Sequence, residues 1–85
     1  MRTLEEVRKD IDLVDQELIK HIMKRLDLTG EVKAIKGESN REIFDPSRED
    51  AIIEKLQAGI ATEHHGYLKD LYQLIFTYSR ELQKR

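Results

Sequence analysis

The fold is decided by residues 3–36, which read TLEEVRKDIDLVDQELIKHIMKRLDLTGEVKAIK. Ten positions in this stretch alternate in spacings of three and four residues, and eight of the ten are apolar. Such spacing brings side chains to one face of an α-helix, so it predicts one long amphipathic helix from about Thr3 to Lys36. Thr3 and Glu6 have the spacing of a capping box at its start. The ten positions are Leu4, Val7, Ile11, Val14, Leu18, His21, Arg25, Leu28, Val32 and Ile35.

The predicted length of this helix points to a second copy of the chain. A helix of 34 residues is roughly 50 Å long, whereas a compact chain of 85 residues is roughly 30 Å across. The projecting apolar stripe therefore needs cover, and a homodimer is the simplest source of it. Four more apolar residues widen the stripe, so we expect the middle of the helix to be buried on more than one side. They are Ile19, Ile22, Met23 and Leu26.

The rest of the chain predicts two shorter helices. Residues 37–44 form a polar connection, and Asp45-Pro46 has the pattern of an N-cap followed by proline in the first helical position. The second helix is expected to fade near Thr62, and the third to run from about Tyr67 to the end. Between them, residues 64–66 (His-His-Gly) predict a turn. The predicted fold is all-α, with one long and two shorter helices in a single domain, residues 1–85, that forms an intertwined homodimer.

Composition excludes several classes of function. The chain has no cysteine and a net charge of −2, and it contains no basic tract for nucleic acid and no apolar run of membrane length. We therefore expect a cytoplasmic protein that binds neither nucleic acid nor membrane. His64 and His65 lack a spaced ligand partner, and no phosphate-binding glycine loop or nucleophile elbow is present. An enzyme of this kind is expected to use no metal, no cofactor and no covalent intermediate.

Three basic residues on the first helix have two interpretations each. Arg25 interrupts the apolar stripe, where it could form an ion pair with another helix or bind an anion. Lys36 is eleven residues further on and on the same face, so it could reach that anion or simply complement the end of the helix. Arg8 is 17 residues before Arg25, about 25 Å along the axis. It is either an ordinary exposed arginine or a residue that serves the site of a second copy.

Each polar residue of the shorter helices, taken alone, is explained by a position on the solvent-facing side of its helix. Arg48 and Glu49 lie in the first turn of the second helix, where an acidic residue is favourable. Ser79 and Gln83 are four residues apart on the third helix, so they share a face.

Taken together, these positions resemble the chorismate mutase domain of the all-helical class, which also occurs fused to prephenate dehydratase in bacteria. The resemblance covers nearly the whole chain and needs no insertion. It implies the intramolecular Claisen rearrangement of chorismate to prephenate in phenylalanine and tyrosine biosynthesis. The segments that carry it are VRKDIDLVD at 7–15, Lys24-Arg25, EVKAIK at 31–36, DPSRE at 45–49, LYQLI at 71–75, Ser79 and Gln83.

The resemblance also implies a role for each site residue. Arg25 and the Arg8 of a partner subunit would clamp the two carboxylates of chorismate, with support from Arg48, because the planar guanidinium matches a carboxylate. Lys36 and Gln83 would donate to the ether oxygen, which gains negative charge as its bond breaks. Glu49 would accept a hydrogen bond from the ring hydroxyl together with the backbone at Asp45, and Ser79 would lie at the edge of the pocket. The chain ends shortly after Gln83, so no attached dehydratase or dehydrogenase domain is expected.

Two other functions remain open. An isochorismate–pyruvate lyase on the same fold would use a similar basic pocket, although Glu49 favours the mutase. A non-catalytic helical oligomerisation module would explain the long helix. It would not explain basic residues inside the apolar stripe together with Glu49 and Gln83 at matching positions.

Overall fold

A computed structural model describes residues 1–36 and 45–84, with every side chain in them except that of Lys36. These residues form three α-helices, α1 (Leu4–Lys36), α2 (Pro46–Gln57) and α3 (His65–Gln83), with a short 3-10 helix, Thr62–His64, before α3. This part of the chain contains no strand, which confirms the all-α prediction of one long and two shorter helices. The predicted polar connection, residues 37–44, lies outside the described residues.

The start of α1 is the capping box that the sequence predicts. The hydroxyl oxygen of Thr3 accepts a hydrogen bond from the backbone N–H of Glu6 at 3.2 Å. The Glu6 carboxylate in turn accepts from the backbone N–H of Thr3, also at 3.2 Å. These two bonds satisfy backbone donors that the helix itself leaves unpaired.

Helix α2 begins as predicted but ends earlier than expected. Asp45 caps it by accepting from the backbone N–H of Arg48 at 3.1 Å, and Pro46 is its first residue. The prediction that it fades near Thr62 is wrong, since it ends at Gln57. After Ala58 the backbone bonds shorten to an i→i−3 pattern, from Gly59 to Leu56 and from Ile60 to Gln57. Glycine is a poor helix former, and the tighter turn places Ile60 outside the helix.

Helix α3 begins two residues earlier than predicted, and the predicted turn at residues 64–66 is wrong. His64 is the last residue of the 3-10 helix, and His65 and Gly66 are the first two of α3. The reversal of the chain instead takes place upstream, where Ala61 is extended, with φ −62° and ψ 145°. A 3-10 turn can lead directly into an α-helix, so no separate turn is needed.

The chain forms two compact units, Met1–Ile35 and Lys36–Arg85. In the described part of the second unit, α2 and α3 are packed antiparallel. The amide of Gln57 at the end of α2 donates to the carbonyl of His65 at the start of α3, at 3.4 Å. Its small core contains Ile53 and Phe76, and Phe76 meets Tyr72 edge to face at a centroid distance of 5.6 Å.

The first unit consists of α1 as far as Ile35 and the three residues before the helix, and none of its side chains is buried. The prediction that the middle of α1 is buried on more than one side is wrong for the chain by itself. Ile19 is 55% exposed and Met23 is 48% exposed, whereas Ile22 and Leu26 are half-buried. A single helix cannot cover its own apolar face. No helix among the described residues is both long enough and apolar enough to cross a membrane.

Candidate active site

Helix α1 carries the three basic residues that the sequence selects. Because α1 is continuous from Leu4 to Lys36, Arg8 and Arg25 are about 25 Å apart along one axis. Arg8 is exposed and Arg25 is half-buried. The backbone carbonyl of Arg25 accepts a hydrogen bond from the Thr29 hydroxyl at 2.9 Å. Lys36 is the last residue of α1. A role is predicted for its side chain, which lies outside the described part of the chain.

The first turn of α2 holds three further candidates. Asp45 fixes this turn by accepting two hydrogen bonds. The N–H of Arg48 donates to its carboxylate at 3.1 Å, and the N–H of Glu49 donates to its carbonyl at 3.0 Å. The side chain of Arg48 is exposed, whereas Glu49 is half-buried and faces α3 through an ion pair. The cap therefore sets the backbone from which Glu49 projects.

The last turns of α3 hold Ser79 and Gln83. Ser79 is only 7% exposed and is the one buried polar residue among those described. Gln83, one turn later, is half-buried. Because the two residues are four apart, their side chains leave the same side of α3, as the spacing predicts.

An ion pair that the sequence analysis does not predict joins these two helix ends. The Nη1 atom of Arg80 lies 2.5 Å from Oε2 of Glu49, and the two side chains are 26% and 20% exposed. The pair spans 31 positions in sequence, so no helical periodicity could have revealed it. The only feature of the sequence that could have pointed to this pair is the position of Arg80, a cationic residue between the predicted site residues Ser79 and Gln83.

Within the second unit, the structure thus brings Glu49 to α3 at the level of Arg80, next in sequence to Ser79. Arg8 and Arg25 belong to the first unit. A shallow groove in the second unit contains none of the predicted residues. It is lined by Asp50, Ile53, Glu54, Gln57 and Lys69.

These features define an all-helical protein in which arginine, glutamate, serine and glutamine occupy the ends of packed helices. Residues 7–84 match the family model for chorismate mutase type II. The chain belongs to this family.

Three curated relatives agree with that assignment. A protein named chorismate mutase from Methanocaldococcus jannaschii is 31% identical over 85 residues, which cover 96% of this chain and 85% of the relative. The T-protein of Haemophilus influenzae is 35% identical over 86% of this chain, and the bifunctional chorismate mutase/prephenate dehydratase of Aquifex aeolicus is 38% identical over 66% of it. The chain spans only 19% and 16% of the length of these last two relatives. No solved structure matches the chain at a significant level.

Proposed function

We propose that this chain catalyses the rearrangement of chorismate to prephenate, the step that leads to phenylalanine and tyrosine. The observation that carries the proposal is the family match over residues 7–84. The M. jannaschii relative, which bears the name chorismate mutase and is matched over most of its length, supports it. The reaction is intramolecular and pericyclic, so it requires neither a nucleophile nor a proton transfer. The protein has to hold the substrate in a compact geometry and stabilise the negative charge that develops on the ether oxygen.

Arginine residues supply the clamp in this proposal. Arg25 and the partner's Arg8 bind the two carboxylates, and Arg48 supports them. The continuous helix α1 supports a shared site, because about 25 Å separates Arg8 from Arg25 along one axis. A single molecule of substrate is much shorter than this separation, so one copy of α1 cannot offer both arginines to it.

The remaining residues act on the ether oxygen and the ring. Lys36 and Gln83 donate hydrogen bonds to the ether oxygen, where charge is larger in the transition state than in the substrate. Glu49 accepts a hydrogen bond from the ring hydroxyl, together with the backbone at Asp45. The half-buried position of Glu49 on the capped first turn of α2 suits this role. Ser79 is assigned to the edge of the pocket.

The proposed assembly is an intertwined homodimer in the cytoplasm. The apolar stripe of α1 supports the dimer, because Leu4, Ile11 and Val14 are more than half exposed and no residue of that unit is buried. On α3, Tyr67, Leu74 and Tyr78 are also more than half exposed. Apolar area on this scale is typical of a surface that a partner covers. Sedimentation equilibrium is expected to give twice the mass of the chain.

A spectrophotometric assay tests the activity directly. Purified protein is expected to remove the absorbance of chorismate and to form prephenate, identified by chromatography. A parallel assay with isochorismate separates the mutase from an isochorismate–pyruvate lyase, and exclusive turnover of isochorismate contradicts the proposal. If the folded protein changes neither substrate, the non-catalytic oligomerisation module replaces both enzymes.

A further inference from the structure

The ion pair between Arg80 and Glu49 involves a residue to which the proposed function gives no role. Arg80 is held from two sides, because Nη1 contacts Oε2 of Glu49 at 2.5 Å and Nη2 donates to the hydroxyl of Thr77 at 3.4 Å. That hydroxyl donates in turn to the backbone carbonyl of Gln73 at 2.9 Å. A short chain of hydrogen bonds therefore runs from the backbone of α3 to one oxygen of the Glu49 carboxylate.

This arrangement leaves the second carboxylate oxygen of Glu49 for another donor. Among the described residues, Oε1 of Glu49 has no hydrogen-bond partner. A carboxylate has two oxygens that accept hydrogen bonds, and fixing one of them fixes the direction of the other. Resting on the proposed function, in which Glu49 accepts from the ring hydroxyl of chorismate, we propose that Arg80 is the positioning residue that orients Glu49 for this contact.

A purely structural role for the pair makes a different prediction. A partly exposed ion pair contributes little to stability, and as a link between α2 and α3 it affects only the fraction of the protein that is folded. A positioning residue affects how well the folded protein recognises one group of its substrate. Misplacing a substrate contact by about 1 Å can lower the rate about a hundredfold. The two roles are therefore separated by kinetics on folded protein.

The experiment compares Arg80→Met, Arg80→Lys and a matched control, Lys84→Gln. Methionine keeps an apolar stem and removes the donors, whereas lysine keeps the charge. Lys84, the residue that caps the C-terminal end of α3, pairs with Glu81 of that helix, and both side chains are about 60% exposed. Its loss therefore tests a surface ion pair at the end of the same helix. The values of kcat and KM are measured with chorismate and with an analogue that lacks the ring hydroxyl but keeps both carboxylates and the enolpyruvyl ether. Thermal unfolding is recorded for each variant.

With chorismate, Arg80→Met is expected to lower kcat/KM about tenfold or more. Arg80→Lys is expected to lower kcat/KM less than Arg80→Met does, because it keeps the charge. Lys84→Gln is expected to change kcat/KM less than about twofold. With the analogue, all three variants are expected to remain within about twofold of the original protein, because the contact that Arg80 prepares is absent. Equal losses on both substrates, or a lowered Tm with unchanged kinetics, overturn the positioning role. If Arg80→Met does not fold, the comparison of Arg80→Lys on the two substrates decides instead. If the unaltered protein does not convert chorismate, the proposed function fails first.

Discussion

At the scale of single residues, the proposed reaction places the greatest demand on donors to the ether oxygen. Lys36→Ala is expected to lower kcat about 100- to 1000-fold, because a donor to developing charge contributes far more in the transition state than in the bound substrate. Lys33→Ala removes a similar charge from an exposed position nearby on the same helix and is the matched control. Steady-state kinetics with chorismate measure both variants, and circular dichroism confirms that they are folded. Near-original activity of Lys36→Ala excludes its proposed role.

Some of the side-chain contacts were predictable from sequence patterns and others were not. The bonds of Thr3 with Glu6 and of Asp45 with Arg48 were predictable, because caps depend on residues three positions apart. The pair of Glu49 with Arg80 was not, because it depends on how two helices pack. The roles of Arg8, Arg25 and the other site residues came from the family resemblance, and spacing alone left each of them with an ordinary structural explanation.

At the scale of elements, the interior of α1 contains one replaceable weak point, Gly30. A Cβ atom added there meets nothing within 4 Å in this chain, and glycine is about 0.8–1 kcal/mol less favourable than alanine inside a helix. Gly30→Ala is therefore expected to raise the free energy of unfolding by about 1 kcal/mol, measured by urea denaturation at one fixed protein concentration. Gly66→Ala also meets open space, but it lies at the second residue of α3 and is expected to gain less. A loss of stability in Gly30→Ala would mean that a neighbouring copy closely approaches this position.

The N-terminus of α2 depends on Asp45, and its cap has consequences for stability. Asp45→Ala is expected to lower the free energy of unfolding by about 1 kcal/mol, because the N–H of Arg48 loses the acceptor now 3.1 Å away. Asp45→Asn keeps an acceptor of the same shape, so it is expected to lower the free energy of unfolding by only a small part of the loss in Asp45→Ala. Equal losses in the two variants would show that the charge of Asp45, rather than its hydrogen bond, stabilises this turn.

The ends of elements were less predictable than their existence. The sequence predicted that α2 continues past Gly59 to about Thr62, but the i→i−3 bonds that follow Gln57 end it. Conversely, the His-His-Gly sequence suggested a turn, although Gly66 is helical and requires no unusual backbone conformation. Local composition describes which conformations a residue tolerates, and the surrounding hydrogen bonds select one of them.

At the scale of the whole molecule, the long helix is the feature on which the proposed dimer rests. A helix of 33 residues in which none of the described side chains is buried gains little from its own unit, and most helical stability in proteins comes from packing of an apolar face. The dimer is therefore argued from the same stripe that predicted the fold. The proposed clamp adds a chemical requirement, because Arg8 and Arg25 can serve one substrate only if they come from different copies.

That requirement can be tested by mixing inactive subunits. Arg8→Ala and Arg25→Ala homodimers are each expected to be inactive, since every site lacks one arginine. After subunit exchange, each mixed dimer contains one intact site and one that lacks both arginines, so about a quarter of the original activity should return. A mixture of Lys36→Ala with Arg25→Ala is the control. Both residues are assigned to the site of their own subunit, so no mixed dimer has an intact site and no activity should return. Confirmed exchange without recovery in the first mixture would place Arg8 outside the site and leave the dimer with only a structural role.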